Sequence, residues 1–118
     1  MEANKRACFA LVAATLVNKK QYHGVYDYYQ SKHISVSVSN AESNTPNFYD
    51  HNRGASITGN SQGMYDYATS SHVSININGK RVDCYDYESG TYISFSVNGS
   101  NVGAYDYEIS SHCSYNVN

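Results

Sequence analysis

The sequence predicts a mainly β protein with one N-terminal α-helix: an antiparallel meander of about five 20-residue hairpin repeats, curled around or packed on the helix as a barrel or strongly curved sheet. Three observations predict it. A Tyr-Asp-Tyr segment recurs along the chain, each copy is followed by strict apolar/polar alternation, and the one long apolar run, Ala7 to Val17, precedes them all.

The helix comes first. ACFALVAATLV is apolar all round, the pattern of an enclosed helix rather than one laid on a surface. Eleven residues of helix span about 16 Å, half a bilayer core, so a membrane span is excluded. A second reading is a secretory leader, with Lys5-Arg6 ahead of the run and Val12-Ala13-Ala14 as its cleavage site. We expect the structural helix, within residues 3 to 20, with Phe9, Val12 and Leu16 turned to the sheet. Residues 21 to 118 then form the hairpins, and residues 1 to 118 make one domain, since a chain of 118 residues holds one real core.

The repeats align without gaps: GVYDYYQSKHISVSV from Gly24, GMYDYATSSHVSINI from Gly63, DCYDYESGTYISFSV from Asp83 and GAYDYEISSHCSYNV from Gly103. Tyr65, Tyr85 and Tyr105 are spaced by twenty, and FYDHNRGASI from Phe48 is a shortened copy. Asn78-Gly79 and Asn98-Gly99, the strongest short-range hairpin marks, separate the later repeats, joined by Thr58-Gly59. Only Ser39 to Asn47, with the sole proline, Pro46, reads as a longer loop.

Side-chain parity assigns the faces. A two-residue Asn78-Gly79 turn sets Ile77 opposite Lys80 and Ile75 opposite Val82; a four-residue loop Ala68 to Ser71 sets Tyr67 opposite His72 and Asp66 opposite Val73. One face then gathers the aliphatic residues, from Val25 and Ile34 through Phe95 to Tyr115 and Val117. The other gathers Tyr26, Tyr28, Tyr65, Tyr67, Tyr85, Tyr87, Tyr105 and Tyr107 beside Ser35, Ser74, Asn76, Ser94 and Ser114, with His33, His72, Tyr92 and His112 at the loop end. The aliphatic face needs a cover, and the helix is the candidate. A sheet of about ten strands tends to curl, so we expect it to wrap the helix; a flatter sheet sharing its helix across a dimer is the alternative.

Composition narrows the function. Charged residues are 15% of the chain against a usual quarter or so, while 13 tyrosines crowd it, so the surface is built of Tyr, Ser and Asn. Net charge is −2 and no Lys/Arg run exceeds a pair, which argues against a nucleic-acid partner. Cys8, Cys84 and Cys113 form neither a disulfide framework nor a zinc motif and read as buried thiols of a reducing, cytoplasmic compartment, secretion by the leader reading remaining the alternative. No cofactor and no membrane partner is expected.

The aspartates Asp27, Asp66, Asp86 and Asp106 fall on the apolar face just before each loop. Their expected partners are loop N–H groups. If the helix runs antiparallel to the strand after it, Lys5, Arg6 and the positive end of its dipole also face that ring. Calcium is disfavoured, because the carboxylates sit one per hairpin. The histidines repeat too far apart, about 10 Å or more, to share a metal. Asp-to-His spacing of six puts the two side chains on opposite faces, which breaks any dyad, so no enzyme is expected.

The alternation of YD, a short Gly-containing loop and an NG turn is similar to the hairpins of bacterial YD-repeat shells, which wrap cargo in a β-cocoon. The Gly-Arg/Asn-Leu step that follows YD there is missing here, and no function is carried over. From the residues themselves, the first expectation is a non-catalytic, lectin-like binding module. Its ligand, a glycan or a protein surface, would meet Tyr26, Tyr28, Tyr65, Tyr67, Tyr85, Tyr87, Tyr105, Tyr107, His72 and His112. A self-assembling β-protein, forming homo-oligomers by sheet stacking or edge pairing, is the rival class. An inhibitor- or immunity-type partner of one protein is the third.

Overall fold

The computed structural model describes every residue, Met1 to Asn118. Helix α1 (Ala3–Asn18) is followed by ten strands: β1 (Gly24–Asp27), β2 (Lys32–Ser39), β3 (Asn47–Asp50), β4 (Ala55–Asn60), β5 (Gly63–Asp66), β6 (Ser71–Asn78), β7 (Arg81–Asp86), β8 (Thr91–Asn98), β9 (Asn101–Asp106) and β10 (Ser111–Val117). Each strand pairs antiparallel with its sequence neighbours, and β10 returns to pair with β1, so the sheet is a closed barrel. Every strand is paired on both sides, and the edge-pairing route to self-assembly therefore has no edge to start from.

The helix lies inside. Its residues from Lys5 to Leu16 are all buried, and Phe9, Val12 and Leu16 join a 29-residue apolar cluster that draws on every strand. Dimensions explain the fit. Ten strands about 4.8 Å apart and tilted by about 40° close at a radius near 10 Å, the distance at which packed secondary-structure layers meet. Small residues on much of the helix (Ala7, Cys8, Ala10, Ala13, Ala14) let it sit in that annulus, while inward residues such as Phe48, Ile57, Met64 and Phe95 fill the rest. The apolar run that also reads as a leader core is thus the centre of the fold, and no helix is long and apolar enough to cross a membrane.

The inward set follows the predicted parity throughout; Val38 and Ile77 alone are only partly buried. The predicted register needs correction by two residues. Asn78 faces Arg81, Ile77 faces Val82 and Ile75 faces Cys84, so the turn is Gly79-Lys80 rather than Asn78-Gly79. Gly79 carries φ +64° at the first central position and Lys80 no positive φ, the pattern of a type II′ rather than a type I′ turn. Within the repeat the loop is Tyr67 to Ser70, setting Tyr65 opposite His72 and Asp66 opposite Ser71. That loop closes on a left-handed residue, as do its counterparts: Ser31, Gly54, Ser70, Gly90 and Ser110 all have φ between 51° and 70°. Both shifts are even, so no side chain changes face.

The chain leaves the barrel at the end opposite the aspartate loops. Lys19 caps α1 in the left-handed conformation, and the Asn18 amide donates to Tyr22 Oη and to the Gly99 carbonyl before β1 begins. The helix is therefore antiparallel to β1, with its N-terminus at the aspartate rim, as expected.

Candidate functional site

Two polar assemblies stand out, one enclosed and one exposed. At the enclosed rim, Asp27, Asp50, Asp66, Asp86 and Asp106 are all completely buried. Asp50 belongs to the shortened repeat and completes the ring that the full repeats predict. Four of these aspartates share one local solution. Oδ1 accepts from the backbone N–H two residues on, as in Tyr29 to Asp27 at 2.8 Å, and Oδ2 accepts from the side chain three residues on: Gln30, Arg53, Thr69 or Ser89. At Asp106 the third residue is Ile109, which cannot donate. Arg6 of the helix donates there instead, at 2.9 Å, with its Nε donating to Tyr115 Oη at 2.8 Å and its guanidinium 4.7 Å from the Tyr29 ring.

Other cations reach the ring. Lys5 Nζ donates to Asp86 at 2.8 Å and lies 3.7 Å from Asp66; Arg53 bridges Asp50 and Asp66; the Met1 amine meets Asp106 and Glu108. Burial alone would lower the Arg53 pKa, but Asp66 and Asp50 outweigh it and raise it, so the bridge stays charged. Arg53 was not singled out in the sequence; its position three residues after an aspartate, where the other repeats carry Gln, Thr or Ser, was the signal. The five carboxylates are paired from within, by their own loops and by Lys5, Arg6, Arg53 and the Met1 amine, while one terminal nitrogen each of Arg6 and Arg53 stays buried without a partner. No cluster of His, Cys, Asp or Glu is arranged to hold a metal ion. The three thiols are free and buried in the lumen; burial, with Asp83 and Asp86, pushes Cys84 up to about 12.

The exposed assembly is the outer face. The predicted site residues all stand there, but not as one row. Rings group by hairpin into edge-to-face clusters: Tyr65 with Tyr67 and His72, Tyr85 with Tyr87 and Tyr92, Tyr105 with Tyr107 and His112, at centroid distances of 4.7 to 4.9 Å. Tyr26 pairs with Tyr28 alone, because His33 lies against Gly24 and contacts Asn118 instead. In each cluster the first tyrosine is half-buried, and the second, Tyr28, Tyr67, Tyr87 or Tyr107, is more than half exposed. Adjacent clusters are two strands apart, about 10 Å, too far for rings to stack from hairpin to hairpin. Asp66 and His72 lie on opposite sides of the sheet, as parity requires.

Between the clusters run open grooves. The largest, about 640 Å³, is bounded by Tyr85 and Tyr92 of one hairpin and Tyr107 of the next, with Ser74, Asn76, Arg81, Asp83, Thr91 and Ser94 along its floor and sides. Compared with known proteins, the chain matches no family model, and no curated protein or solved structure is significantly similar to it.

Proposed function

We infer that the chain is a non-catalytic binding module whose outer face takes glycans. The observation that carries this reading is the clustering of rings beside a polar groove. Tyr92 and Tyr107 line the largest groove, next to serine hydroxyls, an amide and a carboxylate, and Tyr87 lines a neighbouring groove beside Gln62, Ser71 and His72; each of the three exposes more than half of its surface. Each ring offers a flat apolar area with a polar tip, the pairing that a sugar's C–H face and hydroxyls demand. Edge-to-face packing holds the rings in place before a ligand arrives, which reduces the entropy lost on binding. The lumen offers no competing site, since the helix fills it. Against the edge-pairing form of the rival assembly reading stands the closed sheet; against a lipid surface stands the polar outer face, the inverse of a lipid-facing barrel.

The test is a glycan array probed with the full chain, alongside Tyr87→Ala/Tyr107→Ala. We expect selective binding, lost in the double variant, with an unchanged circular dichroism spectrum. Absence of glycan binding, together with concentration-dependent growth in light scattering, would replace this reading by the self-assembly one.

A further inference from the structure

The repeat has an outward position two residues before its first tyrosine, and it is Gly24, Gly63 and Gly103 in three copies. In the fourth it is Asp83, and two residues earlier on the same face, where the fifth copy carries Asn101, stands Arg81. Arg81 is the only arginine on the outer face; Arg6 and Arg53 serve the buried ring. Nothing in the fold asks for this pair. Gly103 occupies the matching place with open space where a Cβ would point, and an exposed ion pair contributes little to stability.

The pair is nevertheless held in a defined geometry. Asp83 Oδ1 accepts from Arg81 Nε at 2.9 Å and from Ser94 Oγ at 2.6 Å. Partial burial raises the Asp83 pKa, but these two hydrogen bonds and the Arg81 charge outweigh it and hold the carboxyl below its usual value, hence ionised. Oδ2 accepts from no protein group, and both terminal nitrogens of Arg81 remain free of any carboxylate. An acceptor and a forked donor therefore stand side by side in the largest groove, which the rings of Tyr85, Tyr92 and Tyr107 also line.

We propose that Arg81 and Asp83, with these rings, form a subsite for one neutral sugar unit bearing a vicinal diol. One hydroxyl of the diol donates to Asp83 Oδ2 and its neighbour accepts from an Arg81 terminal nitrogen, while the C–H face of the ring lies on tyrosine. A neutral unit is favoured over a uronate or sialate because the single positive charge of the groove is already paired with its own carboxylate. The inference rests on the glycan-binding reading above and gives that reading a place and a sugar chemistry.

Calorimetric titration of the full chain with neutral trisaccharides of glucose, mannose and galactose, and with trigalacturonate, tests it. We expect one neutral trisaccharide to bind at one site per chain, more tightly than trigalacturonate. Asp83→Asn and Arg81→Ala should each weaken it about tenfold or more, as loss of a hydrogen bond to a charged group does. A gain-of-site variant is the stronger arm. Asn101→Arg/Gly103→Asp rebuilds the pair one repeat further on, where Ser114 stands opposite Gly103 as Ser94 stands opposite Asp83. It should raise the stoichiometry towards two, and it keeps the proposal testable even if Asp83→Asn folds poorly. Array glycans whose binding is untouched by Asp83→Asn and by the gain-of-site variant would overturn the subsite and leave the glycan reading standing. Preference for trigalacturonate would overturn the neutral assignment. Failure of every array glycan and every trisaccharide to bind would overturn both.

Discussion

The fifth aspartate loop alone lacks a side-chain donor three residues after its aspartate, and the difference explains how the helix is seated. Loops one to four close on themselves, because Gln30, Arg53, Thr69 and Ser89 each supply the donor that the preceding aspartate needs. The fifth has Ile109 at that position, and Asp106 is completed from outside its loop, by Arg6 at 2.9 Å and by the Met1 amine at 3.2 Å. A helix that is apolar all round gains about the same burial at any rotation inside a barrel, because hydrophobic attraction has no direction. A buried ion pair does have one. Arg6 between Asp106 and Tyr115, with Lys5 turned to Asp86 and Asp66, selects one rotation and one depth, the use of a buried charge best compared with polar residues that set register in coiled coils.

The most damaging way to break this comparison is Arg6→Met. Asp106 and Tyr115 would be left buried with their principal partner gone, and the expected loss is about 3–5 kcal/mol in urea or guanidinium unfolding. Lys5→Met should cost clearly less, since Asp86 and Asp66 keep Ser89 and Thr69 as local donors. Equal losses for the two variants would mean that the fifth loop holds no special place.

Alkaline pH should weaken the same corner. Burial raises the pKa of Tyr115, with Arg6 lowering it less than burial raises it, and burial likewise raises Cys113 and, in the fourth hairpin, Cys84. The folded state therefore keeps protons that the unfolded chain gives up. Stability is fully present below the ordinary thiol value of 9.0 and falls as pH rises through 9 and 10 towards the folded values. Denaturation midpoints from pH 8 to 11 would check this, and a midpoint rising over that range would contradict it. Native thiols should be inert to a thiol reagent at pH 8 and react on unfolding.

The smallest effect sharpens the comparison most. Ile109→Thr restores to the fifth loop the kind of donor that the others own. In the wild-type background it should change stability by less than about 0.5 kcal/mol, because Ile109 is 39% exposed. In the Arg6→Met background it should recover about 1 kcal/mol, the net worth of one hydrogen bond. A double-mutant cycle with no coupling would separate the two positions.

Much of this fold can be read from local patterns. Alternation of side chains is a property of each strand by itself, so the period of two was enough to assign the aliphatic residues, the repeat tyrosines and four of the five ring aspartates to their faces. The period of twenty named the hairpins, and the cations at the start of the apolar run pointed to the aspartate rim. The register survived a two-residue error because an even shift leaves faces unchanged. Of the outer site, the sequence named the tyrosines and histidines but not Arg81 and Asp83, whose mark is a departure from the repeat rather than a repetition.

What only the tertiary structure decided is what depends on sums over the whole chain. Closure of β10 onto β1 needs strand number, tilt and helix thickness to agree, and no window of sequence contains all three. The grouping of Tyr85 with Tyr87 and Tyr92, rather than with Tyr65 or Tyr105, follows from spacing: side chains within a hairpin meet across one ladder, while those of successive hairpins are separated by an intervening strand. Arg6 reaches Asp106, one hundred residues away, only because the helix runs through the lumen. The sequence by itself therefore determined which residues face in and which face out, because that is local stereochemistry. The three-dimensional fold decided which of them meet, because contact between distant residues is set by geometry that the barrel acquires only on closing.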